Sequence, residues 1–354
     1  MGTEMNIDMT RYGLTDRFKT LALEYTGATL GRVISQEKNL YRIITEKGEF
    51  HAEVSGKLRF ETNFVSGYPA VGDFVMVDLG VYEGNAIIQK VLDRKSCFIR
   101  KSAGLSRQEQ VVAANIDTLF LCMALNGDFN LRRLERYLSI AWDSSAIPVI
   151  ILTKGDLCSD IAKKITETED AALGVDIIVT NIFENDSHKK LLPYVTECKT
   201  AAFIGSSGVG KSTLINRLIG EEYLETGEIR DDGRGRHTTT RRELIPLANG
   251  GCVIDTPGMR ELGMWDNADG IDKTFADIEE ISSYCRFRDC THTNEKGCAV
   301  LEAVENGTLS RERLQSYRKL NCETEYAADS KSYLLNKEKK FKEIAKYNKS
   351  NRKR

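Results

Sequence analysis

Gly205-Ser206-Ser207-Gly208-Val209-Gly210-Lys211-Ser212 carries the strongest chemical signal in the chain, matching G-x-x-x-x-G-K-[ST] at every fixed position. Glycines let successive backbone N–H groups converge on one concavity and approach an anion closely. Lys211 then places a positive charge on the terminal phosphates of a nucleoside triphosphate, the Ser212 hydroxyl can ligate Mg²⁺, and Thr213 completes the nucleotide-binding run. A chance glycine-rich turn is the bland alternative, and the flanks argue against it. The apolar run Ala201–Ile204 leads in as a strand, and the stretch Ser212–Leu218 leads out as a helix. The loop by itself specifies a triphosphate and leaves the base open.

Two further motifs bear on metal and base. Asp255-Thr256-Pro257-Gly258 closes the apolar run Gly251–Ile254, placing a carboxylate where a water-mediated Mg²⁺ partner is needed and a glycine N–H where a γ-phosphate would sit. Between that motif and the phosphate loop lies Gly233–Thr240, a polar stretch whose hydroxyls, Thr239 among them, can complete the Mg²⁺ shell. Thr153-Lys154-Gly155-Asp156 closes the run Ile147–Leu152. A carboxylate there accepts two hydrogen bonds from the ring N–H and exocyclic amine of guanine. Adenine lacks that donor pair and would leave the carboxylate unpaired, at a cost of ~1–3 kcal/mol. The set resembles the motifs of the TRAFAC GTPases, with Thr153 where that class carries asparagine; a threonine hydroxyl can make fewer contacts to base and phosphate loop. Asp156, the discriminating residue, is present. Ordinary GTPases run phosphate loop, threonine switch, D-x-x-G, base reader. Here the base reader comes first, which a parallel sheet tolerates because ligands gather beyond the carboxyl ends of its strands whatever the connectivity.

Cys285-x₄-Cys290-x-His292-x₅-Cys298 supplies three thiolates and one imidazole within a short segment. That donor set suits one structural, tetrahedral Zn²⁺ with no open position. A small polar module can use such a metal to fold, at ~10–16 kcal/mol near neutral pH. Arg286 and Arg288, between the first two donors, would present charge to RNA phosphate.

The elements that must position these residues fall into successive domains. Residues 1–25 read as an N-terminal extension. From 26 to 95, runs rich in Val, Ile, Phe and Tyr (Gly31–Ser35, Tyr41–Thr45, Phe50–Val54, Phe74–Val77, Ala86–Leu92) are separated by turn signals such as Lys47-Gly48 and Gly72-Asp73. About five short strands without intervening helices predict an OB-fold-like barrel, an architecture that often binds oligonucleotides. From 104 to 266, buried strands at Ile116–Leu125, Ile147–Leu152 and Val175–Val179 alternate with helices, one of them capped by Asn130 and repeating Leu131, Leu134 and Leu138. That alternation predicts an open, mostly parallel α/β sheet. Residues 270–325 form the zinc-binding module and 326–354 a basic helical tail. The tail from Lys331 holds ten basic and two acidic residues, +8, leaving −10 on the rest of a chain whose net charge is −2. An acidic body with a basic tail suits a polyanion.

Composition sets outer limits. Hydrophobic residues are 41% and charged residues 29% of 354, ordinary for a soluble multidomain protein. No stretch approaches the ~20 apolar residues of a membrane span, and the first residues lack a secretory pattern. Three of the nine cysteines crowd into the metal segment and the others are scattered, which fits a reducing cytoplasm.

Taken together, barrel, permuted GTPase, Cys₃His knuckle and basic tail resemble one family, the bacterial ribosome small subunit-dependent GTPase A family (RsgA, YjeQ or YloQ), from about Thr26 to Cys322. The residues carrying the resemblance are Gly205–Thr213, Asp255–Gly258, Gly235–Thr240 and the Cys/His spacing. It implies a monomeric GTP hydrolase, without membrane, that binds the small ribosomal subunit and its rRNA, assists late maturation and is stimulated by the subunit. Met259 stands where many GTPases place a glutamine that orients the attacking water, so intrinsic turnover is expected to be slow. His237, with Lys211 as its catalytic companion, is the residue the resemblance nominates for that water. A solvated or RNA-touching loop histidine is the rival reading of His237. A permuted GTPase of the large subunit and an ATP-dependent kinase are the rival functions.

Overall fold

The computed structural model describes residues 6–37, 40–62, 65–80, 85–101, 109–181, 183–184, 186–220, 242–255 and 269–328. The chain divides into two compact units, Met1–Gly263 and Met264–Arg354. His237, Thr239, Gly258, Met259 and the tail from Lys331 lie outside the described residues.

The first unit begins with a 3₁₀ turn over Met9–Tyr12, capped by the Asp8 carboxylate, which accepts the Thr10 N–H at 2.9 Å. Helix α1 (Asp16–Ala22) buries Phe18 completely, stacked on Phe74 with ring centroids 4.1 Å apart. Strands β1 (Thr29–Glu37), β2 (Leu40–Thr45) and β3 (Gly48–Val54) are followed by helix α2 (Gly56–Glu61), then β4 (Phe74–Leu79) and β5 (Asn85–Val91). They hydrogen-bond in the order β1-β2-β3-β5-β4, and β4 returns to pair with β1, closing a five-stranded barrel of OB-fold topology. Val33, Ile43, Val75, Val77 and Ile88 fill it. All five expected strands are present. The expectation of no intervening helix is corrected by α2, where the Ser55 hydroxyl accepts the Leu58 N–H at 3.1 Å and Leu58 is buried among the barrel strands. Six residues are too few for helical periodicity to show in sequence.

A two-stranded antiparallel ribbon, β6 (Cys97–Lys101) and β7 (Glu109–Ala114), precedes the α/β core. There β8 (Thr118–Ala124), α3 (Leu131–Asp143), β9 (Ile147–Thr153), α4 (Ile161–Ala171) and β10 (Asp176–Val179) alternate as expected, followed by β11 (Thr200–Gly205), α5 (Lys211–Ile219), an added strand β12 (Arg242–Pro246) and β13 (Cys252–Asp255). The order is β10-β9-β8-β11-β13-β12, parallel except for β12. Every residue of β8 and β11 is buried, which is why those runs read as continuously apolar. Asn130 caps α3 as expected, accepting the Arg133 N–H at 3.0 Å.

The barrel is sewn onto this sheet. Strand β12 pairs with β1 through Ser35 opposite Glu243 and Gln36 opposite Arg242, giving one eleven-stranded sheet. Beneath the seam, Arg32 is 1% exposed and donates to Gly72 O at 3.1 Å, to Thr200 Oγ1 at 2.9 Å and to the Tyr12 carbonyl. The N-terminal stretch closes over the same place: Ile7 N–H donates to Glu46 O at 2.8 Å, and Cys252 Sγ to Arg11 O at 3.1 Å.

In the second unit α6 (Asp269–Thr274), α7 (Ala276–Ser282), α8 (Ala299–Glu305) and α9 (Arg311–Ala328) enclose a small core of Ile271, Phe275, Ile278, Val300, Leu314 and Leu320. Arg313, buried, holds the Asp277 carboxylate through Nε and Nη2 at 2.8 and 2.7 Å.

Candidate nucleotide site and metal centre

The parallel strands β9, β8, β11 and β13 end on one edge of the sheet, and the three sequence motifs sit at those ends. Register places Gly205 beside Cys122 of β8 and Thr153 beside Ala124 of the same strand. Asp255 follows Ile254, which pairs with Ala202 of β11. This carboxyl edge is where open α/β sheets bind ligands.

Gly205 must be glycine for a packing reason: a Cβ there would stand 2.6 Å from the Cys122 carbonyl oxygen. Gly208 and Gly210 meet no neighbour but have φ of +68° and +101°, the left-handed region that turns backbone N–H groups toward one point. Val209 is buried against Phe203 and Ile215 and anchors the loop from below. Ser206 and Ser207 are partly exposed on the rim, and Lys211, Ser212 and Thr213 form the first turn of α5. Lys211 Nζ donates to the carbonyls of Gly205 at 2.8 Å and Ser206 at 2.7 Å.

The candidate base reader, Thr153–Asp156, is tied directly to this loop. The Thr153 hydroxyl donates to Val209 O at 2.7 Å, across 56 residues of chain. Lys154 adopts a left-handed φ of +57°, which swings the chain into a 3₁₀ turn over Gly155–Leu157 and leaves the Asp156 carboxylate exposed at the edge. Gly155 is buried and donates its N–H to Thr180 O at 3.2 Å, so the end of β10 braces the turn. Substituting threonine for asparagine therefore does not cost the link to the phosphate loop.

Asp255 is largely enclosed. Burial pushes its carboxyl up to about 6, against the opposing pull of the Lys211 charge, while Glu243 adds to the rise. The Lys211 ammonium thus acts electrostatically on the carboxylate at the end of the neighbouring strand.

Two contributors escaped the sequence reading. Thr180 has no motif of its own. Arg133, on α3, grips the Asp128 carboxylate at 2.9 and 3.0 Å and also donates to the Ser206 hydroxyl of the phosphate loop, 73 residues away. Nothing local in Leu131-Arg132-Arg133-Leu134 distinguishes that arginine from a solvated one.

In the second unit the Cys285, Cys290, His292 and Cys298 donor atoms all lie within 4.8 Å of one another. Cys285 Sγ is 3.8 Å from Cys298 Sγ, and His292 Nδ1 is 3.6 and 3.4 Å from those two sulfurs. With metal–sulfur bonds of about 2.3 Å, a tetrahedral edge is about 3.8 Å, so the four residues fit a single metal ion. A φ of +55° at His292 turns the ring into the cluster. Cys298 caps α8, its sulfur accepting the Leu301 N–H at 3.4 Å. Burial raises the Cys285 thiol, but hydrogen bonds from the amides of Val300 and Ala299, together with those to the Cys298 and Cys290 side chains, outweigh it and leave the thiol below its usual value.

A base reader that precedes the phosphate loop, joined to it on one sheet edge, defines a circularly permuted P-loop GTPase. The RsgA GTPase family model matches residues 91–265. Small ribosomal subunit biogenesis GTPase RsgA 2 of Lactiplantibacillus plantarum is 49% identical over 91% of this chain and 91% of its own. Small ribosomal subunit biogenesis GTPase RsgA 1 of Listeria innocua is 45% identical over 92% of each. Among solved structures, YjeQ from Thermotoga maritima matches with a TM-score of 0.62 at 26% identity, covering 85% of this chain and 99% of that one. YloQ, described as a circularly permuted GTPase, matches at 0.60 and 25% identity, covering 86% and 96%. The chain belongs to the RsgA GTPase family and is a GTP hydrolase.

Proposed function

We propose that this chain hydrolyses GTP on the small ribosomal subunit, as a monomer in the cytoplasm, and assists the late maturation of that subunit. The observation that carries the nucleotide assignment is the Thr153–Val209 hydrogen bond, which joins base reader and phosphate loop into one site. Guanine is read by Asp156, with Thr153, Lys154 and Gly155 shaping the turn. The loop from Gly205 to Thr213 wraps the phosphates, and Lys211 exchanges the Gly205 and Ser206 carbonyls for phosphate oxygens. Ser212 and Thr239 directly, and Asp255 through water, would hold Mg²⁺, which neutralises charge developing on the phosphates. Gly258 contacts the γ-phosphate, and His237 orients the water that attacks it; the bond to the bridging oxygen breaks and GDP and phosphate leave.

The metal of the second unit is read as one structural Zn²⁺ per chain, since three thiolates and an imidazole suit it and leave no open position. The functional divisions are the barrel at 26–95, the permuted domain at 104–266, the zinc module at 270–325 and the tail beyond. The barrel topology, Arg286 and Arg288 on the knuckle and the +8 tail all suit rRNA, and the names of the relatives point to the small subunit.

The test is GTP turnover measured alone and with each purified ribosomal subunit. Slow turnover alone, rising at least roughly tenfold with the small subunit and unmoved by the large one, is expected. Stimulation by the large subunit only, or ATP consumed as readily as GTP, would overturn the reading. Asp156→Asn provides the matching check on the base. Its amide donor would oppose guanine's donors but pair with the extra carbonyl of xanthine, so binding should move from GTP to xanthosine triphosphate.

A further inference from the structure

Ser206 sits between two cations. Its carbonyl accepts Lys211 Nζ at 2.7 Å and its hydroxyl accepts Arg133. The two cannot have the same role. Lys211 has to leave the Gly205 and Ser206 carbonyls to reach terminal phosphates, and the loop then loses both of those internal bonds. Two ties from outside the loop survive that exchange. Thr153 holds Val209 on the limb that leads into α5, and Arg133 holds Ser206 on the limb that leaves β11. Both come from chain that precedes the loop, on strands or helices that flank β8.

We infer that Arg133 is a positioning residue for the phosphate loop, fixing the Ser206 limb in its nucleotide-binding geometry while Lys211 engages the phosphates. The side chain is suited to it. Asp128 takes Nη1 through both carboxylate oxygens at 2.9 and 3.0 Å, and its carbonyl takes Nη2 at 3.3 Å. That clamp sets the plane of the guanidinium and offsets its charge, and the same fork still reaches the serine hydroxyl. A lysine ammonium has no such fixed fork. With its charge already matched by Asp128, Arg133 supports the loop rather than the transferring phosphoryl group. Its energetic contribution is therefore equal in ground and transition states, which belongs to KM and not to kcat.

This inference rests on the reading of Gly205–Thr213 as the phosphate loop, and the experiment separates the two. Wild type, Arg133→Met, Arg133→Lys, Ser206→Ala and the double variant Arg133→Met/Ser206→Ala are compared for GDP affinity and for KM and kcat of GTP turnover. Losing a hydrogen bond from a charged donor predicts a rise of about tenfold in KM and in the GDP dissociation constant for Arg133→Met, with kcat unchanged. Arg133→Lys falls between that variant and wild type. Ser206→Ala, a small change at the rim, weakens binding too, and the double variant is no worse than Arg133→Met alone because one bond is removed once. A fall in kcat at constant KM would make Arg133 a catalytic group and overturn the inference. So would additive effects in the double variant, or unchanged binding in Ser206→Ala if Arg133→Met does not fold. A wild-type chain without GTP preference would instead remove the nucleotide-site reading beneath it.

Discussion

At Asp255 burial and charge pull in opposite directions, and the balance sets a pH dependence. Its folded-state value of about 6 exceeds the ordinary carboxylate value of 3.8, so the nucleotide-free fold favours the protonated form. The stability that protonation contributes is full below the ordinary value and is lost as pH rises through about 6. In the proposed site, Mg²⁺-dependent nucleotide binding would have the opposite sign, because only the ionised carboxylate would hold the metal's water. Affinity for Mg²⁺·GDP should therefore fall as pH drops through about 6, by calorimetry between pH 5 and 8. The phosphate titrates in the same range, so the decisive quantity is the difference between wild type and Asp255→Asn. Curves that run parallel would show that this carboxylate does not titrate there. At this scale the sequence was most legible where function is local in chain. The glycines of the phosphate loop, Asp156 and the Cys/His set declare themselves by spacing. Arg133 and the Thr153 hydroxyl act across 73 and 56 residues, and no spacing rule announces a contact that only the fold creates.

Among the elements, α8 is tied most closely to the candidate metal cluster. Cys298 is both a donor of the cluster and the cap of that helix, and the amides of Ala299 and Val300 point at Cys285. The unit's apolar core is small, so the loop from Tyr284 to Cys298 has little else to order it. Removal of the metal with a zinc-selective chelator, in excess Mg²⁺, should loosen this loop and fray α8, seen as new protease cleavage between Tyr284 and Glu305 and a loss of helical circular dichroism. GTP affinity, carried by the other unit, should stay within about twofold of its starting value. Loss of nucleotide binding on chelation would mean that the two units are energetically inseparable. The legible elements here were the long or strongly β-branched ones. Helix α2, the ribbon β6–β7 and strand β12 are not legible in the sequence, because runs of five or six residues carry too little periodicity.

For the molecule as a whole, the continuous sheet decides how the chain unfolds. A barrel and a GTPase core read from sequence as neighbours on a string, yet β1 pairs with β12, and Arg42 of β2 bridges Glu243 at 3.0 Å across the seam. Arg32 fastens the underside, joining β1 to the Tyr12 and Gly72 carbonyls and to Thr200 at the start of β11, with its guanidinium 4.8 Å from the centre of the Phe74 ring. Pattern reading cannot find such a residue, since an arginine in an alternating strand looks like a surface charge. Its complete burial lowers its basicity and makes its hydrogen bonds costly to break. Arg32→Met keeps the apolar stem but strands several buried acceptors, at about 3 kcal/mol in total. For a unit of this size that corresponds to a drop of roughly 6–12 °C in its melting temperature. Scanning calorimetry should show barrel and GTPase core melting in one transition, shifted down as a whole by Arg32→Met and raised as a whole by GDP. If the barrel melts in a separate step already in the wild-type chain, the seam is an adjacency without mechanical consequence, and Arg32→Met should then shift the two transitions by different amounts.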